Sequence, residues 1–129
     1  MKSEKKYIVL KDLEVYRLAR ELSAMAWQIY DKLDWQDKKT MGDQFIRSAD
    51  SVGVNIAEGY GRFHHLDKIR FYYNSRGSLL ESVAHWSESL YERERITEEQ
   101  LATFKKVASQ LHLRLNNLIK ATYQTKYNQ

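Results

Sequence analysis

The chain has no cysteine and no proline, and only five of its 129 residues are glycine. Without cysteine there are no disulfides and no thiolate metal ligands, a usage that suits a reducing cytoplasm. Without proline, and with so little glycine, few positions can break a helix. No apolar run approaches the ~20 residues that a spanning helix needs. Met1-Lys2-Ser3-Glu4-Lys5-Lys6 is followed by no apolar signal core. The expectation is one cytoplasmic domain, residues 1–129, with no membrane partner. A chain of this length buries roughly 65–70% of the surface its unfolded form exposes, enough for a core without staples.

What is present is helical periodicity. Val15, Ala19, Leu22, Ala26, Ile29 and Leu33 recur at 4-3-4-3-4 after Asp12, a good N-cap residue. Met41, Phe45, Ala49, Val52, Ile56 and Gly59 make a second seam after a polar Asp34–Lys39 turn, and Gly59 and Gly61 are expected to cap it, Gly59 at positive φ. Tyr72, Leu79, Val83, Trp86 and Leu90 share a third face. Thr97-Glu98-Glu99-Gln100 is a capping box, followed by Leu101, Phe104, Ala108, Leu111, Leu115, Leu118 and Thr122. Helices over about 12–34, 38–60, 66–93 and 98–124, joined by short turns, predict an all-α fold: a left-handed, antiparallel up-down-up-down four-helix bundle. Met25, Trp27, Trp35, Tyr72 and Tyr73 are left over after these seams, which points to assembly with further copies.

No nucleophile elbow and no glycine-rich phosphate loop occurs, so no catalytic residue is assigned. Gly59-Tyr60-Gly61 ends a helix, whereas phosphate cradles begin one. Glu81, His85 and Glu88 share a helix face, but a di-iron bundle needs Glu-x-x-His on two helices and the chain has none. No metal, cofactor or small-molecule substrate is assigned. Arg47, Ser51, Asn55, Glu58 and Arg62 form a polar stripe at 4-4-3-4 on the second helix. It can serve as a ligand face, or bridge to a neighbouring helix or subunit with Glu58 and Arg62 as an i,i+4 pair. The second reading is the default.

The net charge is +4, and its distribution says more than its total. Residues 1–11 hold four lysines against one glutamate, and residues 60–76 hold Arg62, Lys68, Arg70 and Arg76 against Asp67. Residues 114–129 hold Arg114, Lys120 and Lys126 with no acid. An up-down bundle brings these three segments to one end. The other end holds Glu88, Glu92, Glu94, Glu98 and Glu99 against Arg93 and Arg95. Helix-dipole compensation explains the fourth helix, but not Lys68 and Arg70 near the start of the third. The candidate nucleic-acid-binding set is therefore Arg62, His64, His65, Lys68, Arg70, Lys120 and Lys126. Tyr7, Tyr60, Phe63, Tyr123 and Tyr127 fall near the same pole, where aromatics can stack on unpaired bases or, as the default, close the core or fill a subunit interface.

Lys11-Asp12-Leu13-Glu14-Val15-Tyr16, Arg47-Ser48-Ala49-Asp50-Ser51, Asn55-Ile56-Ala57-Glu58-Gly59-Tyr60-Gly61-Arg62, Phe71 and Gly77-Ser78-Leu79-Leu80-Glu81 together resemble one family. It is that of the small four-helix-bundle proteins encoded by intervening sequences in bacterial 23S rRNA genes. The resemblance covers nearly the whole chain. It departs at Gly53, where the family usually has proline, which implies a softer bend there. It implies a homopentameric ring, with Asn55, Glu58, Gly59, Gly61, Gly77, Ser78 and Glu81 as structural or interface positions. The accessory proteins of diversity-generating retroelements are similar and imply nucleic-acid binding, to RNA or DNA. The functional expectation is a non-enzymatic, homo-oligomeric, nucleic-acid-associated protein. The alternatives are a protein-interaction scaffold and, more weakly, a small-molecule binder within the bundle or along the ring axis.

Overall fold

The computed structural model describes residues 8–127, with side chains to residue 125. Among these residues the chain forms four helices and no strand: α1 (Glu14–Asp31), α2 (35–60), α3 (65–92) and α4 (Glu98–Tyr127). α1 and α3 each pack on both α2 and α4, so the four enclose one cluster of buried side chains. None of the helices is long and apolar enough to cross a membrane, among the described residues.

Hydrophobic burial builds the core. Val15, Ala19, Leu22, Ala26, Ile29 and Leu33 are all buried, as are Met41, Phe45, Ala49, Val52, Ile56 and Gly59. In α4, Leu101, Phe104, Ala108, Leu111 and Leu115 are buried, and the Phe45 and Phe104 rings meet at 5.4 Å between α2 and α4. Each large side chain so buried contributes roughly 1.5–3 kcal/mol. An exposed ion pair such as Lys39–Asp43 contributes at most ~1 kcal/mol, so packing decides the fold.

α3 departs from its expected face. Its buried positions are Ile69, Tyr72, Ser75, Leu79, Ser82, Ser87 and Leu90. The step of five between Ser82 and Ser87 falls in a π-helical segment, Glu81–Ser87, whose wider turn takes up an extra residue. Val83 and Trp86, expected in the seam, are only half-buried against it. The serines tolerate burial because each hydroxyl has a carbonyl to donate to. Ser82 Oγ reaches Leu79 O at 3.0 Å, and Ser75 Oγ reaches Val52 O on α2 at 2.8 Å.

Three termini differ from expectation. Asp12 does not cap α1: it lies in a 3₁₀ turn (Leu10–Asp12), and the half-buried Leu13 stands at the N-cap with no side-chain bond. Packing of Leu13 on the core outweighs the cap that Asp12 could make. Asp34–Lys39 is not a turn, since α2 starts at Trp35. Asp34 Oδ1 accepts from the Asp37 amide at 2.8 Å, an N-cap that organises the whole first turn. Gly59 has negative φ and lies inside α2, which ends at Tyr60. What it supplies is space: a Cβ there would stand 2.6 Å from Tyr72 Cε1 and 3.0 Å from Phe71 Cβ. α2 also runs on through the buried Gly53, where a Cβ would meet Ala19 Cβ at an ordinary 3.6 Å.

The capping box of α4 forms as expected. The Thr97 amide donates to Gln100 Oε1 at 2.8 Å, and the Gln100 amide donates to Thr97 Oγ1 at 3.0 Å. The turn before it holds the one positive-φ residue among those described, Glu94 at 60°. The Arg95 amide donates to Leu90 O and the Glu94 amide to Tyr91 O, the two bonds of a Schellman motif, whose left-handed position normally takes glycine. Glu94→Gly should therefore stabilise the protein by about 1 kcal/mol, seen as a higher urea midpoint with unchanged slope.

Candidate functional site

Among the described residues, the α2–α3 turn and the last turns of α4 come to one end; Lys2, Lys5 and Lys6 lie outside the described residues. Tyr60, at the end of α2, donates its hydroxyl to Ile8 O, which brings the start of the described chain there. The turn from α2 to α3 and the last turns of α4 face each other across a cleft of about 420 Å³. Tyr60, Phe63, His64, His65, Lys68 and Tyr72 line one side of it, and Leu118, Ala121, Thr122 and Thr125 the other.

The local backbone explains this arrangement. α2 ends without a left-handed residue, because Gly61 has φ −79°. Its last carbonyls are taken instead by Lys68, whose ammonium donates to Tyr60 O at 2.9 Å and to Gly59 O at 3.4 Å. A cation at a helix C-terminus is favoured by the helix dipole. Burial lowers the Lys68 pKa from the ordinary lysine value. Lys68 is thus committed to structure first, which accounts for its unfavourable place near the start of α3.

The arginines are held differently. The Arg62 and Arg70 guanidinium carbons stand 4.8 Å and 5.3 Å from the centre of the Phe71 ring. Arg62 pairs with Glu58 at 3.3 Å and Arg70 with Asp67 at 3.9 Å, both in exposed positions. Such pairs are worth at most ~1 kcal/mol, so either guanidinium can exchange its carboxylate for a phosphate at little cost. Phe63 is 89% exposed, and its ring meets only the His64 imidazole edge-on at 5.3 Å among the described residues. It neither closes the core nor packs on it. Tyr123, by contrast, is half-buried against the core, its hydroxyl 3.5 Å from that of Tyr73.

Of the seven basic residues read from the sequence, His64, His65 and Lys68 line the cleft, while Arg62 and Arg70 bracket Phe71 beside it. Lys120 is exposed on α4 with no ion-pair partner among the described residues. The Lys126 side chain, like Tyr7 and the Tyr127 side chain, lies outside the described residues. Sequence reasoning did not select Phe71, Leu118, Thr122 and Thr125 for this end. Arg-x₈-Phe-type spacing gives no signal, because the residues meet only once α2 and α3 are folded together.

The polar stripe of α2 closes on its own helix. Ser51 Oγ donates to Arg47 O, Asn55 Nδ2 donates to Ser51 O at 2.8 Å, and Glu58 holds Arg62. Glu81 accepts from Trp86 Nε1 at 3.0 Å, and Glu88 pairs with Lys105. At the far end, Arg95 pairs with Asp37 at 2.6 Å. A second cleft, of about 470 Å³, lies between α3 and α4, away from the basic end. Gly77, Leu79, Leu80, Val83 and Ala84 form its apolar wall; a Cβ on Gly77 would meet nothing within 4 Å, and Leu80 is 67% exposed. Ser78, on the same helix, is half-buried.

Residues 11–117 match a family model described as 23S rRNA-intervening sequence protein. Among solved structures, the chain is similar to a protein of unknown function from the S23 ribosomal protein family of Bacteroides thetaiotaomicron VPI-5482. That likeness has 26% identity and a TM-score of 0.77, over 83% of this chain and 96% of the other. No curated protein matches the chain.

Proposed function

Because the chain belongs to the 23S rRNA-intervening sequence protein family, whose similar solved structure is of unknown function, we propose a function from its own surface. It is a non-enzymatic cytoplasmic protein, one up-down-up-down bundle of left-handed pitch per chain, that assembles with copies of itself and binds RNA or DNA through its basic end. The observation that carries this is the end cleft: exposed Phe63 and His64 and half-buried His65, near two guanidiniums that rest on Phe71 and make only weak surface ion pairs. Contacts of that kind grip phosphates and position a nucleic acid without reading its sequence.

Assembly rests on a separate observation. Trp35 is 75% exposed and Trp27 54% exposed, and surface indoles of that extent are the usual anchors of an interface. A cyclic homopentamer would set every basic end on one face, where the fields add. Light scattering behind a sizing column should give about five times the mass of one chain; a monomer at micromolar concentration would contradict it.

The binding test is charge reversal. Arg62, Arg70 and Lys120 changed together to Glu should abolish binding to labelled RNA and DNA by fluorescence anisotropy, with the melting temperature kept. Arg93 and Lys106 changed to Glu should leave binding in place. Equal losses from both sets would favour the second reading, a protein-interaction scaffold. The observation on that side is the apolar cleft between α3 and α4, with its bare Gly77 and exposed Leu80.

A further inference from the structure

We infer that the end cleft receives an unpaired base, so that the protein selects single-stranded over duplex nucleic acid. The inference rests on the proposed function and narrows its substrate class.

Three features of the cleft support it. Its volume, about 420 Å³, belongs to the size class of small-ligand pockets and is far too small for a paired helix. Its walls combine aromatic and apolar surface (Tyr60, Leu118, Ala121) with a polar edge from His64, His65 and Lys68. A nucleobase offers the same pairing of flat faces and hydrogen-bonding edges. The Thr122 and Thr125 hydroxyls donate to Leu118 O and Ala121 O in their own helix, so this wall presents mainly apolar surface.

Phe63 is the second feature. It sits in the turn between α2 and α3, outside the helical seams, with its ring open to solvent at the mouth of the cleft. An aromatic ring so placed gains area only from something that covers it. In a duplex both faces of each base are already stacked and its pairing edge is occupied, so Phe63 could reach only the backbone. In a single strand the base face is free, and stacking on an aromatic side chain contributes to affinity with little dependence on sequence.

The third feature is the pair of guanidiniums beside the mouth. Arg62 immediately precedes Phe63, and both Arg62 and Arg70 are oriented by the Phe71 ring. Neither arginine lines the cleft, but Arg62 adjoins Phe63 in the chain, so a strand whose base stacks on Phe63 has a phosphate-binding cation one residue away.

The test uses the full chain, in its native assembly, with a labelled mixed-sequence single strand as RNA and as DNA, and with the duplex each forms on annealing to its complement. At least one single strand should bind ten or more times tighter than its duplex, by the magnitude expected for stacked bases. Phe63→Ala should lose roughly 5- to 150-fold in single-strand affinity and leave duplex affinity and the salt slope unchanged. Ala121→Trp, at an exposed position that fills the cleft, should produce the same selective loss. Both variants should melt with the parent, because neither residue is in the core. Equal affinity for single strand and duplex, or unchanged single-strand affinity in both variants, would overturn the inference while leaving nucleic-acid binding intact. Absence of binding to every probe at low salt would overturn the proposed function itself.

Discussion

Gly59→Val should lower stability by about 3 kcal/mol, the upper range for overpacking a dense core. The cause is local. Tyr72 is among the largest fully buried side chains, and its ring lies where the new Cβ would go, with Cε1 at 2.6 Å and Cδ1 at 2.9 Å. The ring is only 1% exposed, so any shift of it must repack the buried neighbours around it. Phe71 Cβ, at 3.0 Å, is fixed to the α3 backbone and cannot retreat. The melting temperature should fall by ~10 °C for a chain of this size. Gly77→Ala is the internal control. It is also a helical glycine, but the added methyl meets open space, so the change should be neutral or stabilise by up to ~1 kcal/mol. Equal effects at the two glycines would mean that backbone propensity, not the Tyr72 contact, sets the role of Gly59.

Lys68→Glu should cost about 2–3 kcal/mol even without nucleic acid, because it removes two charge-assisted bonds and sets a carboxylate against the carbonyls of Gly59 and Tyr60. Lys68→Arg, which can still donate to those carbonyls, should retain most of the stability. Urea denaturation distinguishes the two. If Lys68→Glu unfolds like the parent, the ammonium is free for phosphate and belongs in the charge-reversal set after all.

Lys68 also illustrates how far the sequence could be read. The seams of α1, α2 and α4 were legible because each is written in apolar residues at heptad spacing, from Val15 to Leu33, Met41 to Gly59 and Leu101 to Leu115. The α4 capping box was legible because its signal is local, spanning only Thr97 to Gln100. The α3 seam was not. Its inward positions include Ser75, Ser82 and Ser87, which look polar until a carbonyl partner is in place, and its π segment shifts the period by one residue. Asp34–Lys39 looked like a polar turn, because its charged residues hide both the cap that Asp34 makes and the first turn of α2. Gly59 was placed in the right region for the wrong reason, since a neighbour 13 residues away, Tyr72, decides what it must be.

At the candidate site, the basic residues were legible as charge and illegible as roles. Periodicity placed Lys68 and Arg70 at the pole, but not that one caps α2 while the other rests on Phe71. Phe63 could be read as core-closing or solvent-facing, and only the path of the α2–α3 turn leaves it at 89% exposure.

The central claim, that phosphates are gripped by the basic end, is tested most directly by a salt titration of the unmodified protein on labelled RNA. Binding should be clear at low salt, and log affinity should fall linearly with log salt, by ~100-fold or more on reaching physiological ionic strength, as several counterions are released. Affinity that does not change with salt, or no binding at the lowest salt, would contradict that claim.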